Sequence, residues 1–140
     1  MKRMNNMSHQ HEIITDEDSN KTIGSHQFPQ PVGWKVLVQP NPAKQKTKGG
    51  IYLPSQSLDN EEYLTAHGRI LALGDLAYRD RKTYEAWKGH WPKKGDRITY
   101  GKYAGQKLTI NGVKLLLLND DEITSIIPED VSVSAYVEQR

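Results

Sequence analysis

The sequence predicts an all-β protein, a small antiparallel β-barrel that carries a long mobile loop and a disordered N-terminal extension. Three observations predict this fold class: about five short segments with strand periodicity, glycine-rich turns between them, and almost no helical pattern. With 140 residues the chain fits one domain. Hydrophobic residues make up only 36% of it, so an appreciable part should be solvated tail or loop.

The N-terminal part differs in composition from the rest of the chain. Residues 1–30 have few apolar residues and little periodicity, so we predict a disordered extension there. The barrel domain is predicted over 31–128, and 129–140 should be a C-terminal tail. The first strand is predicted to be half-buried and to end at Pro40 and Pro42, because Trp34, Val36 and Val38 alternate with Lys35, Leu37 and Gln39.

The remaining strands follow in the second half of the chain. The run from Ile70 to Leu73 is continuously apolar, as expected inside a barrel, and Gly68 predicts a bulge or sharp bend. Asn111-Gly112 between two apolar segments predicts a hairpin, because a type I′ turn needs positive φ at both central residues. Apolar strands around Val36 and Ile126 are expected to lie at the open edges of a monomer, where neighbouring subunits would pair with them. Further predicted features are a turn at Lys94-Gly95-Asp96, a strand with Ile98 and Tyr100 on one face, core positions from Leu115 to Leu118, and a last strand within Glu122 to Ile127.

Residues about 75–92 are predicted to form an irregular connection between two strands of the barrel, which we call the excursion. Tyr84, Trp87 and Trp91 are spaced i, i+3 and i+7, which would place them on one side of a short helix that Gly89 and Pro92 prevent from extending. We predict an irregular, partly helical segment whose aromatic residues cap the barrel. Recognition of a ligand by these residues is the alternative.

The composition excludes several classes of function. The absence of cysteine rules out disulfides and thiolate chemistry, and no apolar run approaches the ~20 residues of a membrane span, so we expect a cytoplasmic protein. A net charge of +2 does not indicate a nucleic-acid partner. We predict neither a metal site nor a catalytic site: His9, His11 and His26 match no closed metal geometry, and His67 has no paired nucleophile.

The clearest functional pattern is the stretch KGGIYLP at 48–54. Gly49 and Gly50 make the backbone flexible, polar residues surround them, and Ile51, Tyr52 and Leu53 form a compact apolar cluster. Such a cluster on a mobile loop, predicted over about 43–62, indicates a docking motif. A short internal strand beside a glycine bulge is the alternative.

The order of motifs resembles the GroES family of co-chaperonins, also called chaperonin-ten, over about residues 32–127. The resemblance rests on GWKVLVQP, KGGIYLP, HGRILALG, KKGDRITYGKYAG and VKLLLLNDDEITSII. It implies a non-enzymatic ring, usually a heptamer, that caps a GroEL-type chaperonin in a nucleotide-dependent way and encloses an unfolded client protein. It also implies that Gly49, Gly50, Ile51, Tyr52 and Leu53 bind the chaperonin. ATP or ADP would be bound by that partner, so no cofactor is expected for this chain.

Two features depart from the common cellular members of that family. Tyr52 stands where many members carry an aliphatic residue, and 75–92 does not look like their glycine-rich roof hairpin. The replacement, together with the NDDEI ending, is similar to co-chaperonins of tailed bacteriophages, which would place the protein in a host cytoplasm.

The alternative function is a small barrel that binds single-stranded nucleic acid. It would use aromatic residues to stack bases and would place five lysines on phosphate, namely Lys44, Lys46, Lys48, Lys93 and Lys94.

An enzyme is not expected, because the sequence has no cysteine for zinc and no G-x-G-x-x-G fingerprint.

Overall fold

The structure is a computed structural model and describes residues 11–41 and 65–133. These residues form eight strands and two short 3-10 helices, so the all-β, antiparallel fold class predicted from the sequence is confirmed. The strands are β1 (Ile13–Thr15), β2 (Thr22–Gly24), β3 (Lys35–Pro40), β4 (Ala66–Leu73), β5 (Arg97–Tyr100), β6 (Gln106–Ile110), β7 (Val113–Asn119) and β8 (Ile123–Ile127). The 3-10 helices span Ser25–Gln27 and Asp120–Glu122.

Six strands form one antiparallel sheet in the order β6-β7-β3-β4-β5-β8, and β1 and β2 form a separate hairpin. The outer strands of the sheet are therefore β6 and β8. The expectation that the strand around Val36 lies at an edge is wrong, because β3 pairs with β4 on one side and with β7 on the other. Ile126 does lie on an outer strand, β8.

One face of the sheet builds the first apolar cluster. Strands β3, β4, β5 and β7 contribute buried side chains to it, and Ile123 and Ile126 of β8 pack against it. Five neighbouring strands can share one cluster only if the sheet curls around it, as in a small barrel. The buried members of this cluster are Val36, Val38, Ile70, Tyr78, Ile98, Tyr100, Leu116 and Leu118.

The opposite face carries a second apolar cluster, which changes the interpretation of the first strand. Leu37 points away from Val36 and Val38, yet all three are fully buried. Leu37 packs with residues of β2, β4 and β7 in this second cluster. Strand β3 is therefore buried on both faces, rather than half-buried as its sequence predicts.

A β-bulge in β4 explains the continuous apolar run from Ile70 to Leu73. Leu37 is opposite Ala72, but Val38 is opposite Ile70, so Leu71 is the extra residue. Leu71 and Ala72 join the second cluster, while Ile70 and Leu73 belong to the first. The bulge therefore lies three residues beyond its predicted position, because Gly68 itself pairs in register with Pro40 and Ile98.

The two predicted turns are present. Asn111 and Gly112 join β6 to β7 with φ of 49° and 85°, the positive values that a type I′ turn requires. Gly95 has φ of 92° in the turn that precedes β5. Both turns use residues for which positive φ is accessible at low cost.

The N-terminal segment differs from the predicted disordered extension. Within residues 11–30 the structure has the β1–β2 hairpin and a 3-10 helix, while residues 1–10 lie outside the described part. Ile23 is only 2% exposed and belongs to the second cluster, against which Ile14 and Phe28 also pack. The prediction of disorder from composition was wrong here, because three apolar side chains are enough to fix the segment when they pack on the apolar face of the sheet.

Asp16 anchors this hairpin. Its carboxylate is almost fully buried and accepts hydrogen bonds from the backbone N–H groups of Asp18 (2.8 Å), Ser19 (3.2 Å) and Lys114 (2.7 Å). Burial acts to raise the pKa of Asp16, but the three N–H donors and the Lys114 charge outweigh it, so the pKa is lowered. The ionised carboxylate therefore ties the hairpin to the start of β7.

The beginning of the predicted C-terminal tail is also tied down. Arg69 forms an ion pair with Glu129 at 3.0 Å, and Arg97 donates to the carbonyl oxygens of Pro128 and Val131, each at 2.8 Å. Residues 134–140 lie outside the described part. No helix within 11–41 or 65–133 has the length and apolarity needed to cross a membrane.

We expect Asp16→Asn to destabilise the fold by about 1–3 kcal/mol, because the new amide NH₂ cannot accept a hydrogen bond from a backbone N–H. Since the folded-state pKa is lowered, the contribution of Asp16 is present above its ordinary value of 3.8 and is lost as the pH falls through the folded-state value. Thermal unfolding of wild type and variant should therefore differ at pH 7 and converge in acid. Glu17→Gln, in the same turn but exposed, is the control and should melt like wild type.

Candidate functional site

The predicted chaperonin-binding residues Gly49, Gly50, Ile51, Tyr52 and Leu53 lie outside the described residues, as does the whole predicted mobile loop at 43–62. The structure describes the two strand ends that flank this segment. These are the end of β3, at Pro40 and Asn41, and the start of β4, at residues 65–68.

The two strand ends are paired up to the point where the segment leaves. Pro40 is opposite Gly68, and the Asn41 N–H donates to the His67 carbonyl oxygen at 2.9 Å. The side chains meet as well, with Asn41 Nδ2 and His67 Nδ1 3.1 Å apart. Asn41 and His67, which lie close to residues 42–64 in the sequence, are therefore together at one end of the neighbouring inner strands β3 and β4.

His67, which has no paired nucleophile in the sequence, lies on β4 opposite Asn41, beside the point where residues 42–64 begin. Partial burial, and then the positive charge of Arg97, lower the pKa of its imidazole. The ring is therefore neutral at pH 7, and one ring nitrogen can accept a hydrogen bond while the other carries the proton. This state suits the contact with the Asn41 carboxamide.

A cleft of about 800 Å³ opens beside these strand ends. One wall is the turn of the N-terminal hairpin, including Asp16, and another is the β6–β7 hairpin. The Gln39 Nε2 group lines the cleft and donates to the Thr15 carbonyl oxygen at 2.9 Å, which joins β3 to the N-terminal hairpin.

The lysines proposed for nucleic-acid binding are not brought together in the described structure. Lys44, Lys46 and Lys48 lie outside it, while Lys94 Nζ is 3.7 Å from a carboxylate oxygen of Glu12. Within the described ranges, no three histidine, aspartate or glutamate side chains are grouped so that they could hold a metal ion. His11 and His26 are in contact, with ring centroids 4.2 Å apart.

The excursion at 75–92 is organised by Asp120, which sequence reasoning did not single out beyond the NDDEI motif. The Asp120 carboxylate is 1% exposed, accepts from the Tyr78 N–H at 2.8 Å and forms an ion pair with Arg81 at 2.7 Å. Tyr78 also donates its hydroxyl to the Asp120 carbonyl oxygen at 2.9 Å. Burial, and then the nearby carboxylates of Asp120 and Asp121, raise the pKa of Tyr78.

Arg81 completes this arrangement. Its guanidinium carbon lies 4.7 Å from the Trp34 ring centroid and 5.5 Å from that of Trp87, so it makes cation–π contacts with both rings. The hydrogen bond from Arg81 to Asp120 raises the pKa of the guanidinium further. A single charged side chain thus links Trp34, which directly precedes β3, to the excursion and to the segment after β7.

The aromatic residues of the excursion cover the sheet without forming a helix. Trp91 stacks on buried Tyr78 with ring centroids 5.2 Å apart, and Trp87 packs against the first apolar cluster. The predicted partly helical geometry is wrong, because turns and an isolated bridge between Arg79 and Ala86 shape the backbone. Tyr84 instead pairs with Trp34, at 6.0 Å.

Comparison with known proteins agrees with this architecture. The model of the family described as "Chaperonin 10 Kd subunit" matches residues 29–127. The chain is 33% identical over 97 residues to the co-chaperonin GroES of Chloroherpeton thalassium, which covers 69% of this chain and 95% of the relative. It is 30% identical over 100 residues to the co-chaperonin GroES of Rhodothermus marinus, covering 71% of this chain and 92% of the relative.

The fold and these matches define a co-chaperonin, a protein that acts in protein folding together with a chaperonin. The chain belongs to the chaperonin 10 Kd subunit family. The names of the relatives describe a co-chaperonin and state no catalytic activity. The similarity to bacteriophage members stays a prediction.

We expect Asp120→Ala to loosen the excursion, because it leaves the Tyr78 N–H and the Arg81 guanidinium without their acceptor. The unsatisfied backbone group alone should cost about 1–3 kcal/mol. Thermal unfolding should shift to lower temperature, and tryptophan fluorescence should change because Trp34 and Trp87 contact Arg81. The exposed neighbour provides the control: Asp121→Ala should change neither signal, and an equal effect in both variants would contradict the assigned role of Asp120.

Proposed function

We propose that this co-chaperonin forms a ring, a heptamer, that closes one end of a GroEL-type chaperonin while that partner holds ATP or ADP, with an unfolded client protein inside the chamber. The observation that carries the proposal is the family match over 29–127, within which KGGIYLP falls between two strands that are paired to their ends. The nucleotide belongs to the chaperonin and not to this chain, and the cytoplasm is the proposed compartment.

The structure supports a separation between barrel and docking segment. The described members of both apolar clusters come from strands β1 to β8, from the excursion, and from Phe28 and Ala104. Pairing of Pro40 with Gly68 and of Asn41 with His67 closes the sheet before the segment begins. Gly49 and Gly50 would then provide backbone freedom, and Ile51, Tyr52 and Leu53 would supply the apolar surface that docks on the chaperonin.

Energetics explain why such a protein needs a ring. Burial of Ile51 and of Leu53 contributes ~1.5–3 kcal/mol each, whereas ordering a flexible segment costs ~1–2 kcal/mol per residue fixed. One segment alone therefore binds weakly. Several segments on one rigid ring make the later contacts intramolecular, which raises the avidity ~10²–10⁴-fold, and weak single contacts allow the lid to dissociate.

Docking can be tested with Ile51→Ser combined with Leu53→Ser. We expect unchanged thermal unfolding and unchanged ring mass but loss of nucleotide-dependent binding to a purified GroEL-type chaperonin. A matched control changes two exposed apolar side chains outside 42–64, Ile13→Ser on β1 with Val32→Ser before β3, which are 70% and 78% exposed. The control should bind normally. A collapse of the melting temperature in the first double variant, on the scale of ~2–5 kcal/mol per substitution, would place these residues in the core and contradict the proposal.

Ring assembly is expected from the outer strands. Within the described residues, β6 and β8 are the outer strands of the sheet, and each is paired with a neighbouring strand on one side only. Unpaired strand edges readily pair with another chain. Light scattering or sedimentation at micromolar concentration should report a closed oligomer of about seven subunits. A stable monomer under these conditions would count against the lid mechanism.

A further inference from the structure

The chain on the β3 side of residues 42–64 is held by two different elements. Asn41 is bound to β4 through its N–H and its side chain, both of which contact His67. Gln39 is bound to the N-terminal hairpin through the Thr15 carbonyl oxygen. We call these four residues, Thr15, Gln39, Asn41 and His67, the base clamp.

The backbone geometry at this point shows which residues bond the two strands. Pro40 lies opposite Gly68 in a non-hydrogen-bonded pair, so the next backbone hydrogen bond between β3 and β4 is the one from the Asn41 N–H to the His67 carbonyl oxygen. Gly68 lies so close to β3 that a Cβ atom there would be 2.5 Å from the Gln39 carbonyl oxygen. The contacts of Asn41 with His67 therefore hold the two strands together one residue beyond Pro40.

The Thr15 end of the clamp is itself fixed. Asp16, the next residue, accepts the N–H of Lys114 at 2.7 Å, and Ser19 donates its hydroxyl to the Gly112 carbonyl oxygen at 2.8 Å. The hairpin is thus attached to β7 as well as to β3. It precedes residue 29, where the family match begins, so this part of the clamp is an addition to the matched domain.

We propose that Gln39, Asn41 and His67 are positioning residues for chaperonin docking: they fix the point at which the docking segment leaves the barrel. The inference rests on the proposed function. Each residue held in place before binding is one fewer to be ordered when the apolar tripeptide docks. Through its contact with Gln39, the N-terminal hairpin thereby affects how tightly the docking segment binds the chaperonin.

The expected loss of chaperonin affinity follows from the free energy that one hydrogen bond contributes. Loss of a single side-chain hydrogen bond weakens an equilibrium by about 2- to 10-fold. Because several segments of a ring bind together, the loss for the assembled ring exceeds that for one segment. A weakening of at least about threefold is therefore the signal to look for.

Four variants of the full chain test the clamp. Asn41→Ala removes the contact with His67, and Gln39→Met keeps the side-chain length but removes the donor to Thr15. Asn41→Asp is the conservative rescue, because its carboxylate can accept the His67 Nδ1–H when the ring adopts that tautomer. Thr83→Ala is the control, since it removes an exposed hydrogen bond to the Glu85 N–H in the excursion.

The measurement is the Kd of each ring for a purified GroEL-type chaperonin with ATP, alongside its melting temperature and its mass. We expect Asn41→Ala and Gln39→Met to bind at least about threefold more weakly with unchanged melting and mass, and Asn41→Asp and Thr83→Ala to bind like wild type. Equal binding by wild type and Asn41→Ala would overturn the positioning role.

Two further results would also overturn it. If Asn41→Asp binds as weakly as Asn41→Ala, the contact with His67 is not the cause of the loss. If melting temperature or ring mass falls together with binding, the residues are structural and not positioning. Failure of the wild-type ring to bind in the presence of ATP is a separate outcome, which overturns the proposed function and this inference with it.

Discussion

The burial of β3 on both of its faces is the constraint on which the rest of the structure depends. Val36 and Val38 enter the first apolar cluster, and Leu37 enters the second. A strand in this position needs a partner on each side and a cover on each face. Strands β4 and β7 supply the partners, the curled sheet encloses one face, and the N-terminal hairpin covers the other.

Two buried carboxylates hold the irregular segments to this frame. Asp16 binds backbone N–H groups of the hairpin turn and of β7, and Asp120 binds the Tyr78 N–H and Arg81. A buried carboxylate is stable only when donors surround it, so each one specifies the position of the segment that supplies them. Segments with few apolar residues thereby acquire a defined place without a helix or a long strand.

This arrangement supports the proposed function, in which a docking segment leaves a firm base and the partner is later released. The described clusters and hydrogen bonds join residues of 11–41 and 65–133. The proposed function expects changes within 42–64 to alter affinity without altering the fold. Changes at its base, where Gln39 and Asn41 meet the hairpin and β4, would alter affinity through the order of the chain that leaves the barrel.

Local chemistry determined much of this fold from the sequence alone. Asn111-Gly112 specified its hairpin because few other residues accept positive φ at both positions, and Pro40 ended β3 because proline lacks a sheet donor. The family motifs, including the KGGIYLP stretch, can also be recognised from the sequence alone. Tertiary structure decided the rest: Ile23 covers Leu37, Leu71 bulges out of β4, and Arg81 reaches Asp120 across 39 positions of sequence. Such contacts depend on which distant surfaces the fold brings together, and neither the periodicity nor the composition of a single segment contains that information.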